Sequence, residues 1–169
     1  MLAEAARLYA AGANAAAEAT CQTIIAQQPS HFDARHLLGV VLLRQGKNIE
    51  AANVLRHAMA LRPDHTLVRV NLGNALLANK AFAEALAVSD GLDAASLNNR
   101  GLAYRGLGQP ADAATAFREA TAIQPGYAPA WFNLAKTLAA LDRLPEALEA
   151  ARAALASAPP DTPVSGWRT

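Results

Sequence analysis

From Phe32 to His65 the chain reads FDARHLLGVVLLRQGKNIEAANVLRHAMALRPDH, and the fold can be read outward from this stretch. Leu38 and Leu42 in its first half, and Ala51, Leu55 and Ala58 in its second, recur at spacings of three and four, the period of a helix with one buried face. Gly46 separates the halves, and glycine enters the left-handed region that ends a helix without steric cost. Pro63 lacks an amide hydrogen and stops the second helix. Gly39 is small where the second helix must pass close to the first. The stretch predicts a helix–turn–helix hairpin.

The hairpin recurs. Pro29 to Pro63 is 34 residues, Pro125 to Pro159 is 34 again, and Pro63 to Pro125 is 62, two periods less six. In register with the first quotation stand Leu72-Gly73, Leu76 and Ala85; then Gly101, Tyr104, Gly108, Ala113, Phe117, Ala120 and Pro125; then Trp131, Leu134-Ala135, Leu138, Ala147, Ala151, Ala154 and Pro159. A weaker copy, Ala5, Leu8, Gly12, Ala17, Cys21 and Pro29, opens the chain. The units run 1–31, 32–65, 66–93, 94–127 and 128–159. The first starts late, at Met1. In the third, the second helix near Phe82–Ser89 runs into Asp90-Gly91, so it should be shorter by about one and a half turns, with a local change of twist. Residues 160–169, PDTPVSGWRT with Trp167, read as a flexible tail. With no closing helix before it, the ends of the array are expected to be uncapped.

Composition narrows the function. The chain is 53% hydrophobic, much of it alanine, which favours closely approaching helices. A net charge of +1 gives no field for nucleic acid, and no stretch of about 18 uncharged apolar residues suggests a membrane span. Cys21 is the lone cysteine, so no intrachain disulfide forms, and a cytoplasmic location is expected. No phosphate-binding loop GxxxxGK[ST] occurs. His31, His36, His57 and His65 lack metal-ligand spacing. Cys21 and Ser89 fall at the packing place that Leu55 and Phe117 fill, with no base beside them. The expectation is no enzyme, no catalytic residue, no metal and no cofactor.

The units resemble the tetratricopeptide repeat, whose pattern over 34 residues is W-x2-L-G-x2-Y…A-x3-F…P. The resemblance covers nearly the whole chain, to about Pro159. It implies an all-α fold, a right-handed α-solenoid of about five helix–turn–helix units with the third shortened. It also implies a protein–protein interaction scaffold that binds an extended peptide or partner segment, with the first helix of each pair lining a concave groove. At about 100° per residue, positions 2, 5, 6, 9, 12 and 13 of each unit then face the groove. These are Asp33, His36, Val40, Leu43 and Arg44; Val70, Asn71, Asn74 and Leu77; Asn98, Asn99, Leu102 and Arg105; and Phe132, Asn133, Lys136 and Ala139.

Asn71, Asn99 and Asn133 share position 6, similar to the asparagine ladder in the repeat domain of O-linked N-acetylglucosamine transferases. An amide that both donates and accepts can pair with the backbone of an extended peptide; asparagine at this place equally suits hydrogen bonding between helices. Asn74, Arg105 and Lys136 make a partial basic strip, although their order departs from the family's clamp for a C-terminal carboxylate. The expected peptide-binding set is Asn71, Asn74, Asn98, Asn99, Phe132, Asn133, Lys136, Arg105, His36 and Arg44. Two alternatives stand beside it: the substrate-recruiting front of a larger glycosyltransferase-like enzyme, and a homo-oligomer that assembles through uncapped ends.

Overall fold

The computed structural model describes Met1–Ala158; the expectations placed on Pro159, the tail and Trp167 lie outside the described residues. Among those residues there are ten α-helices and no strand. They form five successive hairpins: α1 (Leu2–Ala10) with α2 (Asn14–Gln27), α3 (Phe32–Arg44) with α4 (Asn48–Leu61), α5 (Thr66–Ala78) with α6 (Phe82–Val88), α7 (Ala94–Gly106) with α8 (Pro110–Ile123), and α9 (Ala128–Ala140) with α10 (Leu144–Ser157). The chain divides into two compact units, Met1–Glu84 and Ala85–Thr169. In the first, α2 packs on α1 and α3, α4 packs on α3 and α5, and α3 touches both α1 and α5. In the second, α8 packs on α7 and α9, α9 packs on α10, and α7 touches α9. Helices α2, α4 and α8 thus lie against their own partner and the first helix of the next hairpin, which buries faces that no hairpin could bury alone.

Local chemistry sets the hairpins. The residue that ends each first helix turns left-handed: Gly12, Gly46 and Gly108 have φ of 77°, 74° and 74°, while Lys80 and Asp142 take 59° and 58° without the help of glycine. Close approach explains Gly39 and Gly101. A Cβ on Gly39 would stand 2.5 Å from Leu55, and one on Gly101 would stand 2.5 Å from Phe117. The His31 and His65 Nδ1 atoms accept from the Ala34 and Val68 amides, which caps α3 and α5.

A clasp the sequence did not announce joins neighbouring hairpins. The fourth residue of a unit donates to the carbonyl of the proline that ends the unit before. Arg35 Nε reaches Pro29 O at 2.8 Å, Arg69 Nη2 reaches Pro63 O at 2.9 Å, and Trp131 Nε1 reaches Pro125 O at 2.8 Å. In the fourth unit this place holds Leu97. There Arg100, three residues on, donates from Nε to Ser89 O (3.0 Å) and from Nη2 to Gly91 O (3.3 Å).

The shortening of the third unit is larger than expected. Helix α6 has 7 residues where α2, α4, α8 and α10 have 14 each, a loss of about two turns rather than one and a half. Its end is stitched locally: the Ser89 hydroxyl donates to Ala85 O at 2.7 Å, and Asp93 caps α7 through the Ala95 and Ser96 amides. Cys21, Leu55 and Phe117, which share one packing place, are all fully buried, and Ser89 at the same place is nearly so.

Candidate functional site: the faces of the first helices

In the first compact unit, α3 and α5 present His36, Val40, Leu43, Val70, Asn71 and Leu77 half-buried, with Asp33, Arg44 and Asn74 exposed. The Asn71 amide nitrogen lies 3.0 Å from His36 Nε2. An amide N–H only donates, so the imidazole accepts at that nitrogen and is held neutral. His36 is not alone. Its ring meets His65 edge-on at 5.3 Å between centroids, Phe32 lies 4.9 Å from His65, and the Arg62 guanidinium sits 4.1 Å over Phe32. Burial, and then the neighbouring His65, hold His36 below the ordinary histidine pKa, with Asp33 acting in the opposite direction. Arg44 is a stitch. Its Nη1 donates to Tyr9 O at the end of α1 (3.0 Å), and its guanidinium lies 5.0 Å from the centre of the Tyr9 ring.

In the second unit, α7 and α9 carry Leu102, Arg105, Phe132 and Asn133 half-buried, with Lys136 and Ala139 exposed. Asn98 and Asn99 lie at the floor, 5% and 3% exposed. The Asn133 Nδ2 donates to Asn98 Oδ1 at 2.9 Å, and its Oδ1 accepts from Arg105 Nη1 at 3.5 Å. Burial pushes the Arg105 pKa down. The Lys136 ammonium lies 5.4 Å from the centre of the Phe132 ring.

One rule is common to both faces. The sixth residue of a unit, Asn71 or Asn133, bonds the fifth residue of the unit before, His36 or Asn98, 35 positions earlier in both cases. Two of the three asparagines thus join successive first helices, and Asn98 and Asn99 are covered where open groove positions were expected. Sequence reasoning missed Phe32, Arg62 and His65 beside His36. The available signal was that His31 and His65 recur one unit apart, which marks them as caps and places His65 at the head of α5.

The chemistry of these faces is hydrogen bonding and apolar contact. No three His, Cys, Asp or Glu side chains among the described residues converge to hold a metal. Burial raises the Cys21 thiol to about 11, so it is a protonated core group at neutral pH. No described helix is long and apolar enough to cross a membrane.

Five successive helical hairpins, stacked within each unit, with a left-handed residue at each turn and a period of 34 define a helical repeat protein. Family profiles described as tetratricopeptide repeat match residues 2–52 and 98–162, more than half of the chain, and a second such profile matches 42–103. The chain belongs to the tetratricopeptide repeat family. Its fold is similar to that of MamA from Desulfovibrio magneticus (21% identity, 90% of each chain covered, TM-score 0.79). It is also similar to TTC0263, a thermophilic protein of the same repeat class from Thermus thermophilus (24% identity, 95% of this chain and 91% of that one, TM-score 0.76). A third likeness is to YrrB, described as a repeat protein of this class with an unusual peptide-binding site (21% identity, 93% and 84% covered, TM-score 0.71). No curated protein matches the sequence significantly.

Proposed function

We propose that this protein is an interaction module whose first-helix faces hold an extended segment of a partner protein. The carrying observation is the row of partly open apolar side chains on those faces, Val40, Leu43, Val70 and Leu77 in one unit and Leu102 and Phe132 in the other, interleaved with amides and cations. Apolar contact supplies binding energy, and His36, Asn71, Asn74, Asn133 and Lys136 supply hydrogen-bonding edges around it. Asn98 and Asn99 form the floor. Asn71 and Asn133 act first as links between helices and offer a ligand only the hydrogen-bonding capacity those links leave. The peptide-binding site named for YrrB supports a peptide ligand by analogy of fold. Affinity should be modest, because a flexible ligand loses entropy on binding.

Pull-downs with wild type, with Phe132→Ala/Lys136→Ala and with Asn71→Ala/Asn99→Ala/Asn133→Ala test this. Partners recovered by wild type should be lost from the first variant while its helicity is unchanged. Equal recovery by wild type and the first variant refutes the groove. Loss of helicity in the asparagine variant would mark those residues as structural.

A second reading rests on a separate observation. Helices α9 and α10 carry an apolar concavity of about 480 Å³, lined by Phe132, Ala139, Leu148 and Leu155 among others, with Leu148 and Leu155 54% and 55% exposed. In the hairpin before it, α9 covers the corresponding surface, where Ala114 and Phe117 are buried. A first helix of a second copy is the matching cover. Light scattering should then show mass that rises with concentration and falls to the monomer in Leu148→Glu/Leu155→Glu; a strict monomer at high concentration removes this reading.

A further inference from the structure

Helices α3, α5 and α9 pack on α2, α4 and α8, and the same two places are buried on each of them. Leu38 and Val41 on α3, Leu72 and Ala75 on α5, and Leu134 and Thr137 on α9 are all 5% exposed or less. On α1 these places hold Glu4 and Arg7, 34 residues before Leu38 and Val41. The two form an ion pair at 2.7 Å, with side chains 48% and 74% exposed. Covering them with an apolar helix would take both charges out of water. The face that α3, α5 and α9 give to a preceding helix is therefore polar on α1.

Helix α10 is built the other way. Leu144, Leu148, Ala151 and Leu155, spaced by four, three and four, make one stripe along it. The three leucines are 59%, 54% and 55% exposed, and Ala151 between them is half-buried. Large and small residues have changed places relative to the inner second helices. Where α10 has Leu148, α4 and α8 have Ala52 and Ala114; where it has Ala151, they have Leu55 and Phe117. The result is a low centre with raised leucines on either side. It opens into the concavity of about 480 Å³, whose floor is Ala135 and Ala147. Among the described residues that line this hollow, Lys136 alone is charged, and it lies at the edge over the Phe132 ring. One face thus holds both knobs and the hollow to receive them.

We infer that the α9–α10 face pairs with the same face of a second copy about a twofold axis beside Ala151, giving a closed dimer and not an end-to-end filament. A surface that carries its own knobs and hollow is self-complementary, which is what a twofold interface requires. Leu148 and Leu155 stand three and four places from Ala151, so antiparallel α10 helices set the Leu155 of one copy against the Leu148 of the other. Each Leu155 enters the hollow over the other copy's Ala147 and Ala151, and Phe132 closes its edge. Helix α1 is excluded as the cover because its charged pair would be buried, and because Leu148 holds off a helix that Ala52 or Ala114 would let approach. This rests on the self-association reading of the concavity and supplies its partner hairpin and its symmetry.

Sedimentation equilibrium of the full chain and cross-linking through single introduced cysteines test this, since Cys21 is fully buried and does not compete. The mass should rise with concentration and level at two chains. Leu148→Glu/Leu155→Glu should raise the dissociation constant at least about tenfold with unchanged circular dichroism, the loss of two buried leucine contacts. Under mild oxidation Ala151→Cys should form a disulfide-linked dimer with itself. Glu149→Cys, exposed on another side of α10 beside Arg118, should not. Mass that climbs past two chains, or Ala151→Cys that links to Glu4→Cys in a mixture and not to itself, overturns the twofold pairing and leaves self-association standing. A strict monomer at high concentration, with residues 159–169 or a different partner over the hollow, overturns both.

Discussion

Glycine matters in this chain for two unrelated reasons, and they predict opposite responses to substitution. Gly101 is helical and needed because Phe117 occupies the space of a Cβ. Gly101→Ala should therefore lower the unfolding free energy by about 1–3 kcal/mol, despite the better helix propensity of alanine, as a shift in urea midpoint. Asp142 takes φ of 58°, a region where glycine is at ease. Asp142→Gly should raise stability by roughly 0.5–1 kcal/mol, the relief of backbone strain less the extra freedom of unfolded glycine. His36 is a third case. Its pKa in the fold lies below its ordinary value of 6.5, so the unfolded chain binds the proton more readily. Relative to the neutral fold, nothing is lost above pH 6.5, and stability falls as pH drops from there through the folded value. The groups facing it are His65, Asn71, Asp33 and, through Phe32, Arg62. Urea unfolding between about pH 7.5 and 5 should show stability declining with acid, more gently in His36→Gln.

At the scale of the elements, a helix owes its place to small fastenings at its ends. The clasp from the fourth residue to the preceding proline carbonyl is made by arginine twice and tryptophan once, chemically different donors serving one task. Trp131→Phe keeps an aromatic ring but loses the indole N–H. It should cost about 1 kcal/mol, read as a lower melting temperature, because one hydrogen bond at a partly exposed carbonyl has about that net value. Helix α6 illustrates the converse. It has half the length of its counterparts, and the segment after it is held by Ser89, Asp93 and Arg100.

Across the whole molecule, stability should be a sum over neighbours. Leu138 is 2% exposed and packs in one cluster with Ala113, Ala114, Phe117 and Leu134. Leu138→Ala removes about 2–5 kcal/mol from that cluster. In an array where each hairpin contacts only those beside it, the loss should stay local. Hydrogen exchange should quicken in α9 and α10 while the slow amides of α3 and α4 keep their protection. A uniform rise across all helices would mean one cooperative domain instead. The net charge of +1 adds little long-range field, so association should be governed by the individual surfaces above.

The repeat itself was legible in one dimension. A period of 34, small residues at Gly39 and Gly101, glycines at three turns and prolines after α4 and α8 each impose a local geometry, and five copies in register leave one family. Local rules also marked Cys21 as core and α6 as short. They could not give the roles of the asparagines, because hydrogen-bond partners 35 residues apart meet only when hairpins stack. That stacking turned Asn71 and Asn133 toward His36 and Asn98, sank Asn98 and Asn99 into the floor, and brought Phe32, His36 and His65 together. Periodicity along the chain determined which residues form helices and turns, whereas the partner each polar group found depended on distances that exist only in the packed array.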